Sequence, residues 1–256
     1  MANNESSKKT FIVALLLCLV CSVIVSVAAV LLKDKQLANK SLDRKRNILE
    51  AADMFVEGVD IDEQFQKIRA KVVDLRSGKF SDEVAIVKFD QRKVAKNPAL
   101  SKKLSNEEDI AKISRRENFA LVYIVESEGQ MDTLILPIHG YGLWSTLYGF
   151  LALENDLNTV TGLGFFEHTE TPGLGGEVDN PRWKSQWPGK QLFDNDGLAI
   201  TLIKGTVDLA RDGAVNKVDG LSGATLTSRG VTNLLQFWLG ENGFGPFLQN
   251  LHAGEA

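Results

Sequence analysis

The strongest pattern along the chain is a single unbroken apolar run near its start. Residues 11–32 are apolar except for Ser22 and Ser26, and the run carries no charge. At about 1.5 Å of rise per residue, a helix over this run would be about 33 Å long, which is enough to cross the hydrocarbon core of a bilayer. The pattern therefore predicts a transmembrane anchor at residues 11–32 after a short tail at residues 1–10.

A cleaved secretory signal is the alternative for this run, with Lys8 and Lys9 as its charged start. The run exceeds the usual apolar core of a signal peptide, about 7–15 residues, and no small-residue cleavage site is followed by a polar segment. A retained anchor is therefore the preferred interpretation. Two basic residues precede the run and six follow it within residues 33–46, so the charge bias alone predicts a cytoplasmic main domain.

The segment after the anchor has mixed character. The spacing of apolar residues predicts α-helices at residues 37–56 and 61–77. Residues 89–117 are strongly polar and predict a surface excursion. We therefore expect residues 33–118 to form a helical and polar membrane-proximal region, separate from a main domain at residues 119–256.

The main domain combines strand patterns with glycine-rich turns. Residues 120–125 and 131–138 alternate around a short polar turn and predict a β-hairpin. The whole pattern predicts an α+β fold, with a mostly antiparallel sheet and flanking helices packed to one side. Further strands are predicted at residues 159–167 and 198–203, a short helix or turn at residues 181–187, and helices at residues 224–239 and 244–251.

Charge divides along the chain and limits the possible partners. Eight basic and three acidic residues give residues 1–46 a net charge of +5, whereas 21 basic and 30 acidic residues give residues 47–256 a net charge of −9. An acidic domain is a poor partner for nucleic acid. The basic stretch beside the anchor is suited to contact anionic membrane lipid.

Both cysteines, Cys18 and Cys21, lie in the apolar run. The rest of the chain therefore has no disulfide, no thiolate metal site and no cysteine nucleophile. We expect the two cysteines to be small packing residues. The alternative is a pair of metal or cluster ligands shared with a partner subunit, and no other metal site is predicted.

The candidate chemistry lies in the segment Asp-Gly-Leu-Ser-Gly-Ala-Thr at residues 219–225, which joins a glycine-rich loop to an apolar helix. Ser222 is a suitable N-cap by type, Gly223 allows close approach of a ligand, and Thr225 brings a hydroxyl to the first helical turn. Free N–H groups and the helix dipole favour a phosphate at such a position. From the residues alone, an ordinary capped helix is the simpler interpretation.

This segment, with Leu-Thr-Ser following it, resembles the flavinylation motif of the FMN-binding domain family. In that family a flavin transferase esterifies the FMN phosphate onto the last threonine of the motif, which corresponds to Thr225. The resemblance implies covalent FMN on Thr225, with Asp219 and Thr225 among the positions that the transferase recognises. Three further positions are implied both in recognition and in cofactor binding: Ser222, Gly223 and Ala224. Thr227 is implied in cofactor binding.

A second segment, His-Thr-Glu-Thr-Pro-Gly-Leu-Gly at residues 168–175, resembles a loop of the same family. The resemblance implies that Gly175 lets the loop wrap the flavin and that Leu174 lies against the isoalloxazine ring, while Glu170 and Thr171 offer polar contacts to the ring edge. Taken alone, such a loop is more simply a structural turn.

Two more positions match the family in order along the chain. Trp144 ends the glycine-rich turn Gly-Tyr-Gly-Leu-Trp, and its aromatic face is suited to stack on a flavin. Lys204 precedes Gly205 after a predicted strand and would bring positive charge to a reduced, anionic flavin. A core tryptophan and a solvated lysine are the alternatives.

The anchor and the ordered motifs together resemble the FMN-bearing subunits of sodium-translocating NADH:quinone reductases over the full length. The resemblance implies an electron carrier of a bacterial inner-membrane complex that oxidises NADH, reduces ubiquinone and pumps Na+, with its soluble domain in the periplasm. Partners would be the other subunits of that complex. The flavoprotein subunit of Rnf-type electron-transport complexes and a non-redox assembly subunit are the alternatives. No nucleotide-binding glycine motif follows a strand and the apolar run holds no ionisable residue, so NADH, quinone and sodium sites are expected on other subunits.

Overall fold

The computed structural model describes residues 7–86 and 89–256. The chain divides into an N-terminal unit that ends at Asp43 and a main unit, Arg44–Ala256. The tail expected at residues 1–10 lies partly outside the described residues.

Helix α1 spans Ser7–Ala51 and contains the whole apolar run. No glycine or proline interrupts these residues, which allows one continuous helix. It is long and apolar enough to cross a membrane, and no other helix in the described part of the chain passes that test. The helix predicted at residues 37–56 is therefore the C-terminal part of α1 and ends at Ala51.

The strands of the main unit are β1 Ile68–Asp74, β2 Lys79–Phe80, β3 Ser101–Lys103, β4 Arg115–Glu117, β5 Phe119–Ser127, β6 Gln130–Tyr141, β7 Thr146–Glu154, β8 Val160–Glu167, β9 Phe193–Asp194, β10 Gly197–Leu198, β11 Thr201–Ile203 and β12 Lys217–Asp219. Its helices after α1 are α2 Ile61–Phe65, α3 Gln91–Lys96, α4 Pro181–Lys184, α5 Thr225–Leu239 and α6 Gly245–Ala253.

The main unit is built on a six-stranded antiparallel sheet, in the order β2-β1-β5-β6-β7-β8. Among the described residues, three small two-stranded sheets pair β9 with β10, β3 with β4, and β11 with β12, and the last of these three pairs is parallel.

Both faces of the large sheet are covered, which corrects the prediction of helices on one side only. Side chains alternate along a strand, so Val122 of β5 packs in the core with α5 and α6. Its neighbour Tyr123 packs on the opposite face with Ile48 and Leu49, at the C-terminal end of α1. This double burial explains why β5 is apolar at consecutive positions.

Three predicted segments differ from the structure. The helix predicted at residues 61–77 stops at Phe65, and β1 follows it and pairs with β5 along its whole length. The strand at 198–203 is split between β10 and β11. The polar stretch at 89–117 holds α3, β3 and β4 and buries Glu117 completely, so it is only partly a surface excursion. The predicted hairpin, the strand at 159–167 and the last two helices are confirmed.

Helix α5 lies unusually close to the end of β6. A Cβ atom on Gly230 would lie 2.5 Å from the carbonyl oxygen of Tyr141, and one on Gly140 would lie 2.5 Å from the Cβ of Leu234. Glycine at both positions lets the helix approach the strand. The start of α5 is therefore held next to the turn that leaves β6.

Candidate functional site

The first turn of α5 has a free hydroxyl and no side-chain cap. Thr225 is the first helical residue and is exposed, and the side chain of the N-cap residue, Ala224, makes no capping hydrogen bond to the helix. Ser222 is exposed and is not the N-cap, which corrects the sequence prediction. Gly223, at φ +72°, turns the chain after Ser222, so the helix begins two residues later.

The turn before α5 is held by hydrogen bonds to a side chain of the helix itself, Ser228. The Ser228 hydroxyl accepts a hydrogen bond from the Leu221 N–H at 2.9 Å and donates one to the Ala224 carbonyl at 3.1 Å. The first helical backbone bond also runs to the Ala224 carbonyl, from the Ser228 N–H. The N–H groups of residues 225–227 precede that bond and point toward the helix start, where they can serve an anion.

Asp219 is bonded on three sides to the rest of the domain. Its carboxylate accepts a hydrogen bond from the Val207 N–H at 2.8 Å, and its carbonyl accepts one from the indole of Trp183 at 2.9 Å. Its own N–H donates to the Gln186 side chain. The motif therefore has one anchored end, at Asp219, and one exposed end, at Thr225.

The parallel pairing of β11 with β12 brings Lys204 beside the start of the motif at residues 219–225. The last pair of that ladder joins Ile203 with Asp219, so Lys204 and Gly220 both leave the ladder at the same end. A Cβ atom on Gly220 would overlap the carbonyl oxygen of Ile203. The Lys204 side chain is exposed there.

Glu170 connects the two parts of the site. Its Oε1 atom accepts hydrogen bonds from the backbone N–H groups of Leu143, Trp144 and Ser145, at 3.1, 2.9 and 3.1 Å. Its Oε2 atom accepts one from the hydroxyl of Thr227, on α5, at 2.8 Å. Both side chains lie inside the protein, since Glu170 is 5% exposed and Thr227 is 0% exposed. We call these four hydrogen bonds the Glu170 clamp.

The charge of Glu170 is stabilised by its neighbours. Burial on its own raises the pKa of this carboxyl, but the hydrogen bonds from Trp144, Thr227, Ser145 and Leu143 outweigh it and leave the pKa below its usual value. Two glycines leave room for the carboxylate. A Cβ atom on Gly142 would lie 2.7 Å from Oε1, and one on Gly175 would lie 2.7 Å from Oε2.

His168 shapes the loop that carries Glu170. Its Nε2 atom lies 2.8 Å from the carboxylate of Asp179, and its Nδ1 atom accepts a hydrogen bond from the Glu170 N–H at 3.2 Å. The hydrogen bond to Asp179 raises the pKa of His168. With both ring nitrogens engaged in this way, the imidazole holds the loop in place.

Three exposed apolar side chains belong to the elements around Thr225. Trp144 is 65% exposed, Leu226 is 51% exposed and Leu174 is 43% exposed. The end of the Leu174 side chain faces Gly223, where a Cβ atom would lie 2.9 Å from its Cδ2 atom. Exposed apolar side chains on neighbouring elements, such as these three, are typical of a surface that a ligand covers.

The structure thus joins three of the predicted segments by direct contacts: the turn that carries Trp144, the loop 168–175 and the start of α5. The exposed residues of the predicted set are Trp144, Thr171, Leu174, Lys204, Ser222, Gly223 and Thr225, and the buried ones are Glu170, Gly175, Ala224 and Thr227. Three residues that shape the site were not predicted from the sequence: Gly142, Ser228 and Gly230. The repeated glycines before Trp144 were the available signal for the first of these.

The two cysteines considered as alternative metal ligands are both exposed. Cys18 and Cys21 are free thiols on α1. Within residues 7–86 and 89–256, no three His, Cys, Asp or Glu side chains are grouped as a metal site.

The fold and this site define an FMN-binding domain, whose family model matches residues 142–240. The C subunit of the Na(+)-translocating NADH-quinone reductase of Pseudomonas aeruginosa is 57% identical over 100% of both chains. Its counterpart in Vibrio vulnificus is 50% identical over 99% of both chains. The crystal structure of Shewanella oneidensis NqrC superposes with a TM-score of 0.77 at 40% identity, covering 84% of this chain and 99% of that one. The chain belongs to the family of the C subunits of Na(+)-translocating NADH-quinone reductases.

Proposed function

We propose that this chain carries FMN covalently on Thr225 and passes electrons between the redox centres of partner subunits. The observation that carries the proposal is the position of Thr225. It is the exposed first residue of an uncapped helix, with the exposed apolar residues Trp144 and Leu174 on neighbouring loops. An attached flavin would satisfy the free N–H groups and cover the apolar side chains.

The chemistry of these residues fits FMN. The N–H groups of residues 225–227 and the positive end of the α5 dipole suit a phosphate. Trp144 and Leu174 offer aromatic and aliphatic surface for the ring. Lys204, which leaves the β11–β12 ladder beside Gly220, offers positive charge, and Thr171 offers a hydroxyl. When bound, FMN supplies the one- and two-electron redox chemistry, and the protein orients it and tunes its potential.

The attachment is proposed as a phosphoester made by a flavin transferase. The Thr225 Oγ1 atom would attack the phosphorus of a flavin pyrophosphate: the Oγ1–P bond would form as the P–O bond to the second phosphate breaks, that phosphate would leave with its substituent, and the hydroxyl proton would pass to the transferase or to water. Ser222, Gly223 and Thr225 are open to an enzyme. Asp219 and the buried Ala224 would support recognition through the shape of the turn, because Asp219 is bonded within the domain.

The names of the relatives support a place in a sodium-translocating NADH:quinone reductase, and they favour it over an Rnf-type complex or a non-redox assembly role. We infer that the chain contributes electron transfer alone, with NADH oxidation, ubiquinone reduction and Na+ transport on other subunits. Those subunits, the transferase and membrane lipid would be its partners. We propose an inner-membrane location, with residues 11–32 as the anchor and the main unit, Arg44–Ala256, in the periplasm.

The proposed attachment is tested with Thr225→Val, which removes the hydroxyl and keeps the side-chain shape. Because Thr225 is exposed, the variant should fold normally and lose flavin that survives denaturation. Thr206→Val, at another exposed threonine, is the matched control and should retain it. In-gel flavin fluorescence reports both. Covalent flavin retained in Thr225→Val would place the attachment elsewhere.

A further inference from the structure

The Glu170 clamp joins two segments that are far apart in the sequence. One carboxylate oxygen holds three successive N–H groups of the turn 143–145, and the other holds α5 through Thr227. The turn carries Trp144, and α5 begins with Thr225. A single buried carboxylate therefore connects the two residues that would meet opposite parts of a bound flavin.

We propose that Glu170 is a positioning residue: it sets the turn that carries Trp144 against the first turn of α5, and so aligns the flavin ring with its attachment at Thr225. The inference rests on the proposed function and deepens it. It assigns Glu170 no contact with the cofactor, whereas the family resemblance implied a polar contact to the ring edge. Its effect on the flavin passes through Trp144 and Thr227.

The surroundings of Glu170 support this assignment. Both carboxylate oxygens are engaged by the protein and the side chain is 5% exposed. Gly142 and Gly175 border the oxygens so closely that a Cβ atom at either position would lie 2.7 Å from one of them. There is no room at the carboxylate for a ring edge, and displacing it would leave three partly buried N–H groups without this acceptor.

The clamp depends on acceptor geometry more than on charge. In Glu170→Gln, the amide oxygen can still accept the three N–H groups, and the amide nitrogen can donate to the Thr227 hydroxyl, which then acts as the acceptor. In Glu170→Ala, all four hydrogen bonds are lost. Thr227→Val removes only the bond to α5 and keeps the side-chain shape.

The experiment uses the full chain in detergent and two measurements. Amide hydrogen exchange at Leu143, Trp144 and Ser145 is measured on the flavin-free protein, and the flavin absorbance and midpoint potential on the flavinylated protein. Glu177→Gln and Glu177→Ala are the matched controls, because Glu177 lies in the same loop and its carboxylate bonds only the Asn180 side chain among the described residues.

We expect Glu170→Ala to speed exchange at the three amides by about tenfold or more and to shift the absorbance and potential of its remaining flavin. Glu170→Gln should stay within about threefold of the parent in exchange and restore the flavin properties. Thr227→Val should leave exchange at 143–145 unchanged and still shift the flavin properties. The Glu177 variants should match the parent.

Three results would overturn the proposal. One is parent-like exchange at residues 143–145 in Glu170→Ala. Another is a Glu170→Gln variant as impaired as Glu170→Ala, which would make the charge the important property. The third is a parent-like potential and spectrum in both Glu170→Ala and Thr227→Val. The exchange measurement needs no flavin, so failure of attachment at Thr225 and failure of the clamp are separate outcomes.

Discussion

Gly175 provides the sharpest test of how closely the site is packed. A Cβ atom at this position would lie 2.6 Å from the Thr227 hydroxyl oxygen, 2.7 Å from Oε2 of Glu170 and 3.1 Å from the Glu170 Cβ. These distances are well below normal contact, so Gly175→Ala would push a methyl group between the two partners of one clamp hydrogen bond. Both partners are buried and have little freedom to move away.

Two contributions lower the free energy of unfolding in Gly175→Ala. Overpacking of a filled interior costs about 1–3 kcal/mol, and weakening a buried hydrogen bond to a charged group costs about 1.5–3 kcal/mol. Because relaxation shares the strain, we expect a net loss of about 2–4 kcal/mol in the free energy of unfolding. Gly173→Ala is the matched control. Gly173 is left-handed, at φ +76°, but has open space around it, so only the backbone penalty of about 1–2 kcal/mol applies.

Urea unfolding of the flavin-free chain in detergent, followed by tryptophan fluorescence, measures both variants. We expect Gly175→Ala to be less stable than Gly173→Ala. Amide hydrogen exchange at residues 143–145 should also be faster in Gly175→Ala than in the parent. A Gly175→Ala protein at least as stable as Gly173→Ala would refute the packing argument.

Three further predictions concern the flavin surface, the pH dependence of folding and the helix contact. Leu174→Ala should keep the covalent flavin and change its absorbance or midpoint potential, and no change in either would contradict contact with the ring. Burial raises the pKa of Glu117 from 4.5 to about 7, so the folded state holds a proton that the unfolded state releases, and stability should fall by roughly 3 kcal/mol as pH rises from about 4.5 to about 7. Glu117→Gln should remove that fall in urea unfolding across this range, and an unchanged slope would argue against it. Gly230→Ala gains about 1 kcal/mol of helix propensity but places a methyl group 2.5 Å from the Tyr141 carbonyl, so thermal unfolding should show net destabilisation, unlike Gln236→Ala on the exposed side of α5.

The sequence predicted elements well where one structural period dominated. The apolar run, the β5–β6 hairpin and helix α5 each show a single clear pattern. The helix predicted at residues 61–77 was wrong because the apolar positions there fit both the period of a helix and that of a strand. Ile68 and Val72 lie four apart, as on a helix face, yet they are also alternate positions of β1, which is buried on both faces of the sheet. Pairing with β5 decided the outcome, and no local pattern contains that information.

The site was predictable as a set of segments but not as an arrangement. The family resemblance implied Trp144, Glu170 and Thr225 as residues of one flavin site. The sequence could not indicate that Glu170 is turned inward to three backbone N–H groups, because backbone donors leave no residue signature. The N-cap was misplaced for a similar reason. Ser222 has the right chemistry, but the left-handed Gly223 delays the helix and Ser228 closes the turn instead.

Mass spectrometry of the proteolytic peptide that contains Thr225, isolated from the native complex, tests whether FMN is attached at this residue. We expect this peptide to carry the mass of FMN less one water and fragmentation to place the addition on Thr225. An unmodified Thr225 peptide from a chain that keeps its flavin after denaturation would contradict it.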